Sequence, residues 1–147
     1  MYAALQEAEK AFQSNEIPIG AVVVHNDKII GRGYNQVEML KDTTAHAEML
    51  AITAATNNLQ TKFLDECDLY VTVEPCMMCC GAILLSRLRN VYFGAYEPKF
   101  GSVGSLYNLL ENNKYNHKVN VYTGIYSEES KSLLKNFFDK TRQKSNY

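Results

Sequence analysis

Two short segments of the sequence contain residue types that can bind a metal ion. Residues 44–48 have the sequence TAHAE, in which a histidine is followed two positions later by a glutamate. Residues 75–79 have the sequence PCMMC, whose two cysteines are three positions apart and share one face if the segment is helical. One imidazole and two thiolates suit Zn²⁺, which prefers four tetrahedral nitrogen and sulfur ligands. We therefore predict that His46, Cys76 and Cys79 bind one zinc ion.

Glu48 is the residue that we expect to perform the chemistry. Three protein ligands leave the fourth zinc position open for a water molecule, whose pKa the ion lowers to about 7. The carboxylate of Glu48 can take a proton from this water, and the resulting hydroxide can attack an amidine-type carbon that carries an exocyclic amine. Glu48 can then pass the proton to the ring nitrogen and assist the departure of ammonia, so that one carboxylate acts as base and then as acid.

Each part of this pattern also has a simpler interpretation. A Cys-x-x-Cys pair alone fits a redox site, a closed structural zinc site or a pair of buried thiols, and a glutamate in the first turn of a helix can merely stabilise that helix. A His-x-Glu followed by a Pro-Cys-x-x-Cys is much more specific, because it is the signature of zinc-dependent nucleobase deaminases. The combination favours the catalytic interpretation.

The hydrophobic pattern predicts the elements that position these motifs. His46 and Glu48 fall in the first turn of one predicted helix, and the cysteine pair falls in the first turn of another, directly after a Val-rich strand and Pro75. Helices are predicted at 3–14, 45–58, 76–86 and from Ser127 onward, with a short helix at 105–110, and strands at 21–25, 28–34, 69–73, 88–93 and 119–122. The first two strands form a hairpin, and the later strands alternate with helices. This order predicts an α/β fold, namely a three-layer α/β/α sandwich around a mixed five-stranded sheet.

Local residue choices predict how these elements begin and meet. Thr43 or Thr44 is expected to cap the second helix, and Ser127 is expected to cap the last helix. Gly31 and Gly33 lie inside the second strand, where glycine indicates a bulge or the close approach of another segment to the backbone.

Three further side chains have roles that the sequence leaves open. Asn35, at the end of the second strand, is interpreted as a turn former from its position alone. Cys80 follows a predicted ligand directly, but adjacent helix residues point about 100° apart, so we expect a small core residue. His117 lies between Lys114 and Lys118 and fits either a phosphate contact or a solvated loop.

Length and composition predict a single domain over residues 1–147. The four cysteines are few and clustered, which indicates a metal site in a reducing cytoplasm rather than a disulfide scaffold. No apolar run approaches the roughly 18 residues of a membrane span, so no membrane association is expected. Residues 1–74 contain 5 basic and 11 acidic side chains, whereas residues 75–147 contain 10 and 5. A phosphate-rich partner is therefore expected at surface built by the second half, the alternative being a charge asymmetry without function.

Over nearly its whole length the sequence closely resembles the bacterial tRNA-specific adenosine deaminases of the cytidine deaminase-like superfamily. The segments that carry this resemblance are 17–21 (IPIGA), 44–48 (TAHAE), 69–79 (LYVTVEPCMMC), 93–95 (FGA), 99–106 (KFGSVGSL) and 116–117 (NH). The second and third of these segments belong to several zinc deaminases. The last two resemble the tRNA-specific enzymes in particular.

This resemblance implies a homodimeric enzyme with one Zn²⁺ per subunit that converts adenosine to inosine at the wobble position of a tRNA anticodon loop. It implies that His46, Cys76 and Cys79 hold the zinc ion, that hydroxide on the ion attacks C6 of adenine, and that Glu48 shuttles the proton. It also implies five substrate contacts: Asn35 to the target nucleoside, the Ala47 backbone to the base, Glu97 and Lys99 to the anticodon loop, and the aromatic ring of Phe138 near that loop.

The sequence departs from the family at two positions and leaves two rival functions open. Tyr96 and Asp139 stand where basic residues are common in the family. A free-base deaminase such as guanine deaminase shares the zinc motifs, but it needs no surface that follows phosphates, so segment 99–106 and the basic last helix favour RNA. A zinc-stabilised interaction module without catalysis is disfavoured by Glu48 and by the missing fourth ligand.

Overall fold

The computed structural model describes residues 1–145, which form five helices and a five-stranded sheet. The helices are α1 (Tyr2–Gln13), α2 (Val37–Leu40), α3 (Ala47–Leu59), α4 (Met77–Leu85) and α5 (Ser127–Lys144). The strands are β1 (Gly20–His25), β2 (Lys28–Tyr34), β3 (Cys67–Val73), β4 (Asn90–Ala95) and β5 (Asn120–Thr123). All five predicted strands and the four long predicted helices are present. Among the described residues, no helix is long and apolar enough to cross a membrane.

The sheet is mixed, as the sequence predicted. Its strand order is β2-β1-β3-β4-β5. Strand β1 is antiparallel to both of its neighbours, whereas β3, β4 and β5 are parallel to one another. Parallel neighbours need a crossover connection, and α4 supplies it between β3 and β4.

Alternation of side chains along the strands divides the helices between the two faces of the sheet. Gly20 faces α1, because a β-carbon there would lie 2.1 Å from the carbonyl oxygen of Ala4. The next residue, Ala21, pairs with Gly33, and Gly33 faces α3 instead. Helices α1 and α3 therefore cover opposite faces. Since α5 contacts α1 and α4 contacts α3, the result is the predicted three-layer sandwich.

The main core lies between the sheet and the layer formed by α3 and α4. Val71, Val91 and Phe93 from the central strands are fully buried there, together with Ala51 of α3 and Ile83 of α4. Because both helices are packed on the same set of strand side chains, their first turns are held in a fixed relation to each other.

A buried carboxylate organises the segment before α3. The sequence pattern predicts no helix in this segment, but the structure contains the single-turn helix α2 there. Glu16 is 1% exposed and accepts hydrogen bonds from the backbone N–H groups of Glu38 (3.1 Å) and Met39 (2.6 Å). A buried carboxylate needs such donors, and the first turn of a helix supplies free N–H groups.

The two predicted helix caps are wrong. His46 occupies the cap position of α3 without a side-chain hydrogen bond, and Thr44 instead bonds to the Asp42 carboxylate through its N–H and its hydroxyl. Tyr126, with a φ of 56°, occupies the cap position of α5, and Ser127 is the first residue of that helix. In both cases the residues before the helix form a turn of their own, and the predicted side chain does not cap the first helical N–H groups.

The short helix predicted at 105–110 is also wrong. This region forms turns around Gly104, which has a φ of 136°, and an isolated bridge between Val103 and Asn108. The N–H groups of Val103 and Ser105 both donate to the carboxylate of Glu74. The chain therefore winds around this acceptor and does not continue as a helix.

The glycines of β2 allow α3 to approach the sheet closely, as predicted. A β-carbon at Gly33 would lie 2.3 Å from the carbonyl oxygen of Ala47, and one at Gly31 would lie 2.3 Å from that of Ala51. The register between β1 and β2 also shifts next to Gly31. The predictions of close approach and of a bulge are both confirmed.

We expect Gly33→Ala to destabilise the protein by about 1–3 kcal/mol, the usual cost of overpacking a closely packed contact. The new methyl group must displace the backbone at Ala47, which lies in the first turn of α3. Urea unfolding of both proteins measures the difference. Gly81→Ala in α4 is the control, since nothing lies within 4 Å of its β-carbon position. Equal destabilisation by both variants would contradict the close approach.

Candidate active site

The three predicted zinc ligands lie at the starts of two helices. His46 directly precedes α3 and Cys76 directly precedes α4, each with an extended backbone, and Cys79 lies in the first turn of α4. Free N–H groups and the positive end of the helix dipole favour anions at such positions. The fold therefore stabilises thiolates at this place.

The distances between the ligand atoms fit a zinc ion. Nδ1 of His46 lies 3.6 Å from Sγ of Cys76 and 3.6 Å from Sγ of Cys79. A tetrahedral zinc ion with bonds of about 2.0–2.1 Å to nitrogen and 2.3 Å to sulfur places these atoms about 3.5 Å apart. Over residues 1–145 these three side chains form the one group of histidine, cysteine or acidic residues close enough to hold an ion. The fourth tetrahedral position is thus left to a non-protein ligand.

The pKa values of the two cysteines are shifted in opposite directions. A hydrogen bond from Cys79, together with one from His46, lowers the pKa of Cys76 to about 4. The same hydrogen bond to Cys76, together with burial, raises the pKa of Cys79. The hydrogen bond with Cys76 also raises the pKa of His46. The lowered pKa of Cys76 favours its thiolate, which is the form of cysteine that binds a cation.

Glu48 is buried beside these ligands. It is 4% exposed, and burial raises the pKa of its carboxyl from 4.5 to about 7. The positive charge of His46 lowers this pKa and the negative charge of Cys76 raises it, so the carboxyl of Glu48 interacts electrostatically with both predicted ligands. A carboxyl group with a pKa near 7 can both accept and donate a proton at neutral pH.

The buried carboxyl of Glu48 should make a contribution to the stability of the metal-free protein that is lost as the pH rises. Between about pH 4.5 and pH 7 this group keeps a proton in the folded chain that it has released in the unfolded chain, so its contribution to the free energy of unfolding falls through this window. At 1.36 kcal/mol per pH unit the loss reaches about 3 kcal/mol above pH 7. Glu48→Gln carries no charge and should avoid this loss.

Urea unfolding of chelator-treated protein between pH 4 and pH 8 measures the effect. Glu48→Gln should match the wild type near pH 4 and exceed it at pH 8. Glu9→Gln is the control, because Glu9 is exposed on α1 and its replacement should leave the wild-type curve in place. Parallel curves for Glu48→Gln and the wild type would contradict the burial effect.

Asn35 and Ala47 are placed near His46 by the backbone around them. Asn35 is 6% exposed, and the N–H of the next residue, Gln36, donates to the carbonyl of Ala45 at 3.0 Å. Asn35 therefore sits next to the residue before His46. Ala47 is fully buried and begins α3, where helix geometry leaves its N–H without an intrahelical partner.

Glu97 and Lys99 belong to a loop that lies against the ligand segment. The loop residue Gly101 forms an isolated bridge with Cys76. Within the loop, Glu97 accepts a hydrogen bond from the N–H of Lys99 at 3.1 Å, so its carboxylate shapes the turn. The exposed side chain of Lys99 extends from this turn into solvent.

Phe138 lies on α5, a helix that does not contact the two helices of the ligand group in the described part of the chain. It is 45% exposed and packs edge-on against Phe137, with 5.4 Å between the ring centroids. In the described part of the chain, α5 contacts α1, β3 and β4 but neither α3 nor α4. Asp139 next to it pairs with Lys135 and Arg142 on the same helix.

The surroundings of Cys80 and His117 bear on the roles that the sequence left open. Cys80 is fully buried and lies outside the ligand group, which confirms its prediction as a core residue. His117 places Nε2 2.7 Å from the carbonyl oxygen of Leu88, so it joins its loop to the connection between α4 and β4. A phosphate contact of His117 stays a prediction.

Sequence reasoning missed Glu74, which it treated only as the end of a strand. Its carboxylate is 3% exposed and lies inside the loop that carries Glu97 and Lys99. A charged residue between an apolar strand and Pro75 was the available signal, but its partners lie 23 to 31 residues away.

The mixed sheet and the His/Cys/Cys/Glu group at two helix starts define a hydrolytic deaminase of the cytidine deaminase-like class. Residues 1–142 match the family of MafB19-like deaminases, and the chain belongs to this family. This match confirms that the chain is a deaminase, as the sequence motifs indicated.

Comparison with known proteins narrows the family further. The chain is 48% identical to the tRNA-specific adenosine deaminase of Aquifex aeolicus (strain VF5) over 139 residues, which is 95% of this chain and 91% of the relative. A solved structure from work on A-to-I editing by tRNA:A34 deaminases at the wobble position of transfer RNA is similar, with a TM-score of 0.87 and 42% identity over 91% of this chain and 97% of the other. The guanine deaminase of Nitrosomonas europaea is also similar in fold, with a TM-score of 0.81 and 25% identity over 92% and 81% of the two chains.

Proposed function

We propose that this protein converts adenosine to inosine at the wobble position of a tRNA anticodon loop by hydrolytic deamination. The observation that carries the proposal is the group of His46, Cys76 and Cys79 beside the buried carboxyl of Glu48. The identity of 48% to a tRNA-specific adenosine deaminase supports adenosine in RNA as the substrate.

One Zn²⁺ per chain is the cofactor in this proposal, with Nδ1 of His46 and the two Sγ atoms of Cys76 and Cys79 as its ligands. The ion, when bound, lowers the pKa of a water molecule to about 7. The starts of α3 and α4 favour the two thiolates electrostatically.

Glu48 holds and moves the proton. Its carboxylate takes a proton from the attacking water and delivers it to the purine ring nitrogen. The oxygen of the water bonds to C6 of adenine. Glu48 then moves the remaining proton of this hydroxyl group to the exocyclic nitrogen, the bond between C6 and that nitrogen breaks, and ammonia leaves as the C6 carbonyl of inosine forms. The burial of Glu48 keeps bulk water away from this proton transfer.

Asn35 and Ala47 hold the nucleoside in this proposal. Both are buried beside the ligand group, Asn35 with a side-chain amide and Ala47 with the free N–H of the first helical turn. These neutral hydrogen-bonding groups suit a neutral base, which must be extruded from the anticodon loop to reach them.

RNA binding is assigned to the loop that follows β4 and to α5. Lys99 is exposed, Phe100 is 70% exposed and Tyr96 is 52% exposed. Proteins recognise single-stranded RNA by stacking bases on aromatic rings and by contacting phosphates with basic side chains. Tyr96, which replaces a basic residue common in the family, fits the stacking role. We also propose that the exposed ring of Phe138 contacts the same RNA, at a position other than the deaminated base.

A homodimer is part of the proposal, because α4 presents an apolar face. None of its nine residues is charged, Met77 is 57% exposed and Leu85 is 80% exposed. Such a face is normally covered by a partner, and we assign it to a second copy of the chain.

We also propose that the enzyme acts in the cytoplasm, because its proposed substrate is a tRNA. Residues 1–147 act as one catalytic domain in this proposal.

Substrate choice tests the proposed function. Zinc-loaded protein should form inosine in an anticodon hairpin that contains adenosine at the wobble position, and it should release no ammonia from free guanine. The hairpin with guanosine at that position serves as the matched control. Ammonia from free guanine, with none from the hairpin, would support the rival guanine deaminase, whose fold is similar.

A further inference from the structure

Glu74 is a buried acidic residue that the proposed chemistry does not use. It is 3% exposed and lies between the end of β3 and the ligand Cys76. No basic nitrogen lies within 4.0 Å of its carboxylate in the part of the chain that the structure describes. Its charge must therefore be compensated in another way.

Backbone and hydroxyl groups of one loop, residues 97–105, supply this compensation. Oε1 of Glu74 accepts hydrogen bonds from the N–H of Glu97 at 3.2 Å and from the hydroxyl of Ser105. Oε2 accepts hydrogen bonds from the N–H groups of Val103 and Ser105, both at 3.0 Å. Because all four donors come from the 97–105 loop, the carboxylate forms the centre around which this loop folds.

The 97–105 loop leaves no spare room around the carboxylate. A β-carbon at Gly101 would lie 2.3 Å from Oε2 of Glu74 and 2.4 Å from the carbonyl oxygen of Glu97. The conformation of the loop and the burial of this charge therefore depend on each other.

The same loop is joined to the segment that carries the zinc ligands. The N–H of Ser102 donates to the carbonyl of Pro75 at 2.9 Å, and Gly101 forms a bridge with Cys76. The thiol of Cys80 lies within 3.9 Å of the carbonyl oxygens of Pro75 and Ser102. Glu74 is thus one of several links that hold the 97–105 loop at a fixed distance from Cys76.

The outer surface of this loop has a different character from its anchored inner surface. Lys99 and Phe100 are exposed, and Leu106 (52%) and Tyr107 (54%) are exposed just after the loop. A cation beside aromatic and apolar side chains suits the phosphates and unstacked bases of a single-stranded RNA loop.

We propose that Glu74 is a positioning residue for the RNA substrate. It holds the 97–105 loop in the shape that presents Lys99 and Phe100 to the anticodon loop, at a fixed distance from the metal site. This inference rests on the proposed function, since it assigns RNA to the same surface. It predicts that loss of the carboxylate weakens substrate binding much more than it slows the chemical step.

Glu74→Gln tests this role, because the amide keeps the volume but replaces one acceptor oxygen with a donor. We expect KM for the anticodon hairpin to rise about 10- to 100-fold, while kcat and the zinc content stay close to those of the wild type. Amide hydrogen exchange at Val103 and Ser105 should become faster, which reports the loop without any need for turnover. Ser105→Ala, which removes only the hydroxyl donor, should raise KM by a smaller factor even if Glu74→Gln folds poorly.

Glu111→Gln is the matched control, because Glu111 is exposed and accepts only a neutral hydrogen bond from Asn108. It should leave KM unchanged. An unchanged KM in Glu74→Gln beside an active wild type would overturn the positioning role alone, and so would a loss of zinc and kcat at constant KM. A wild-type protein that forms no inosine in the hairpin would instead overturn the proposed function and the RNA assignment with it.

Discussion

Replacing Glu48 with glutamine is expected to lower kcat for the anticodon hairpin at least about 10²-fold, and up to about 10⁴-fold, while the zinc content stays at one ion per chain. The amide fills the same buried space but cannot accept the proton of the attacking water or return it to the base. A single positioned acid or base accounts for a factor of this size, and Glu48 acts twice in each turnover.

Single-turnover deamination with excess protein measures this effect without a contribution from product release. Glu66→Gln is a suitable control, since Glu66 is exposed and, within residues 1–145, its one ion pair is with His25, at 3.7 Å. Its rate should equal that of the wild type. A Glu48→Gln protein that retains zinc and more than a tenth of the wild-type rate would remove Glu48 from the proposed mechanism.

Replacing Cys79 with serine is expected to abolish zinc binding and deamination together. A serine hydroxyl stays protonated at neutral pH and replaces one of only three protein ligands. Loss of a group that merely orients a metal ligand costs about 10- to 100-fold in affinity, so the loss of a ligand itself should exceed about 10²-fold. Dialysis against a zinc buffer, followed by elemental analysis, measures the affinity.

Cys80→Ala provides the matched control on the same helix. Cys80 is as fully buried as Cys79, but it lies outside the ligand group. This variant should lose some thermal stability and keep its zinc. Equal zinc loss in both variants would indicate that the helix, rather than the Cys79 sulfur, determines metal binding.

The candidate metal site could be predicted from the sequence because its geometry is local. The spacing of Cys76 and Cys79 places both sulfurs on one helical turn, and Glu48 lies two positions from His46 in another. The one long-range requirement is that the two helix starts meet. The parallel unit β3-α4-β4 and the close packing of α3 on Gly31 and Gly33 fulfil it.

The features that sequence reasoning missed depend on contacts between distant residues. The carboxylate of Glu16 accepts a hydrogen bond from α2, 22 residues away in the sequence. The carboxylate of Glu74 accepts hydrogen bonds from the 97–105 loop, up to 31 residues away. Local propensity cannot reveal such an acceptor. For this reason the polar loop before α3 and the helix expected at 105–110 were both predicted wrongly.

The substrate contacts differ in how far they could be derived. Asn35 and Ala47 flank elements that the hydrophobic pattern defines, so their backbone positions near His46 could be predicted. Their contacts to a nucleoside stay predictions. Glu97 has an additional structural role, since its N–H bonds to Glu74 and its carboxylate accepts the N–H of Lys99. The role of Phe138 stays a prediction, because its helix, α5, contacts neither α3 nor α4 in the described part of the chain. Its ring could be connected to the site only through bound RNA.

X-ray absorption spectroscopy at the zinc edge of the loaded protein tests the central claim most directly, namely that a three-ligand zinc site underlies the activity. We predict two sulfur neighbours at about 2.3 Å, with the remaining neighbours being nitrogen or oxygen at about 2.0–2.1 Å. The spectrum should be unchanged in Cys80→Ala. A third sulfur neighbour, or a protein that takes up no zinc, would contradict the account.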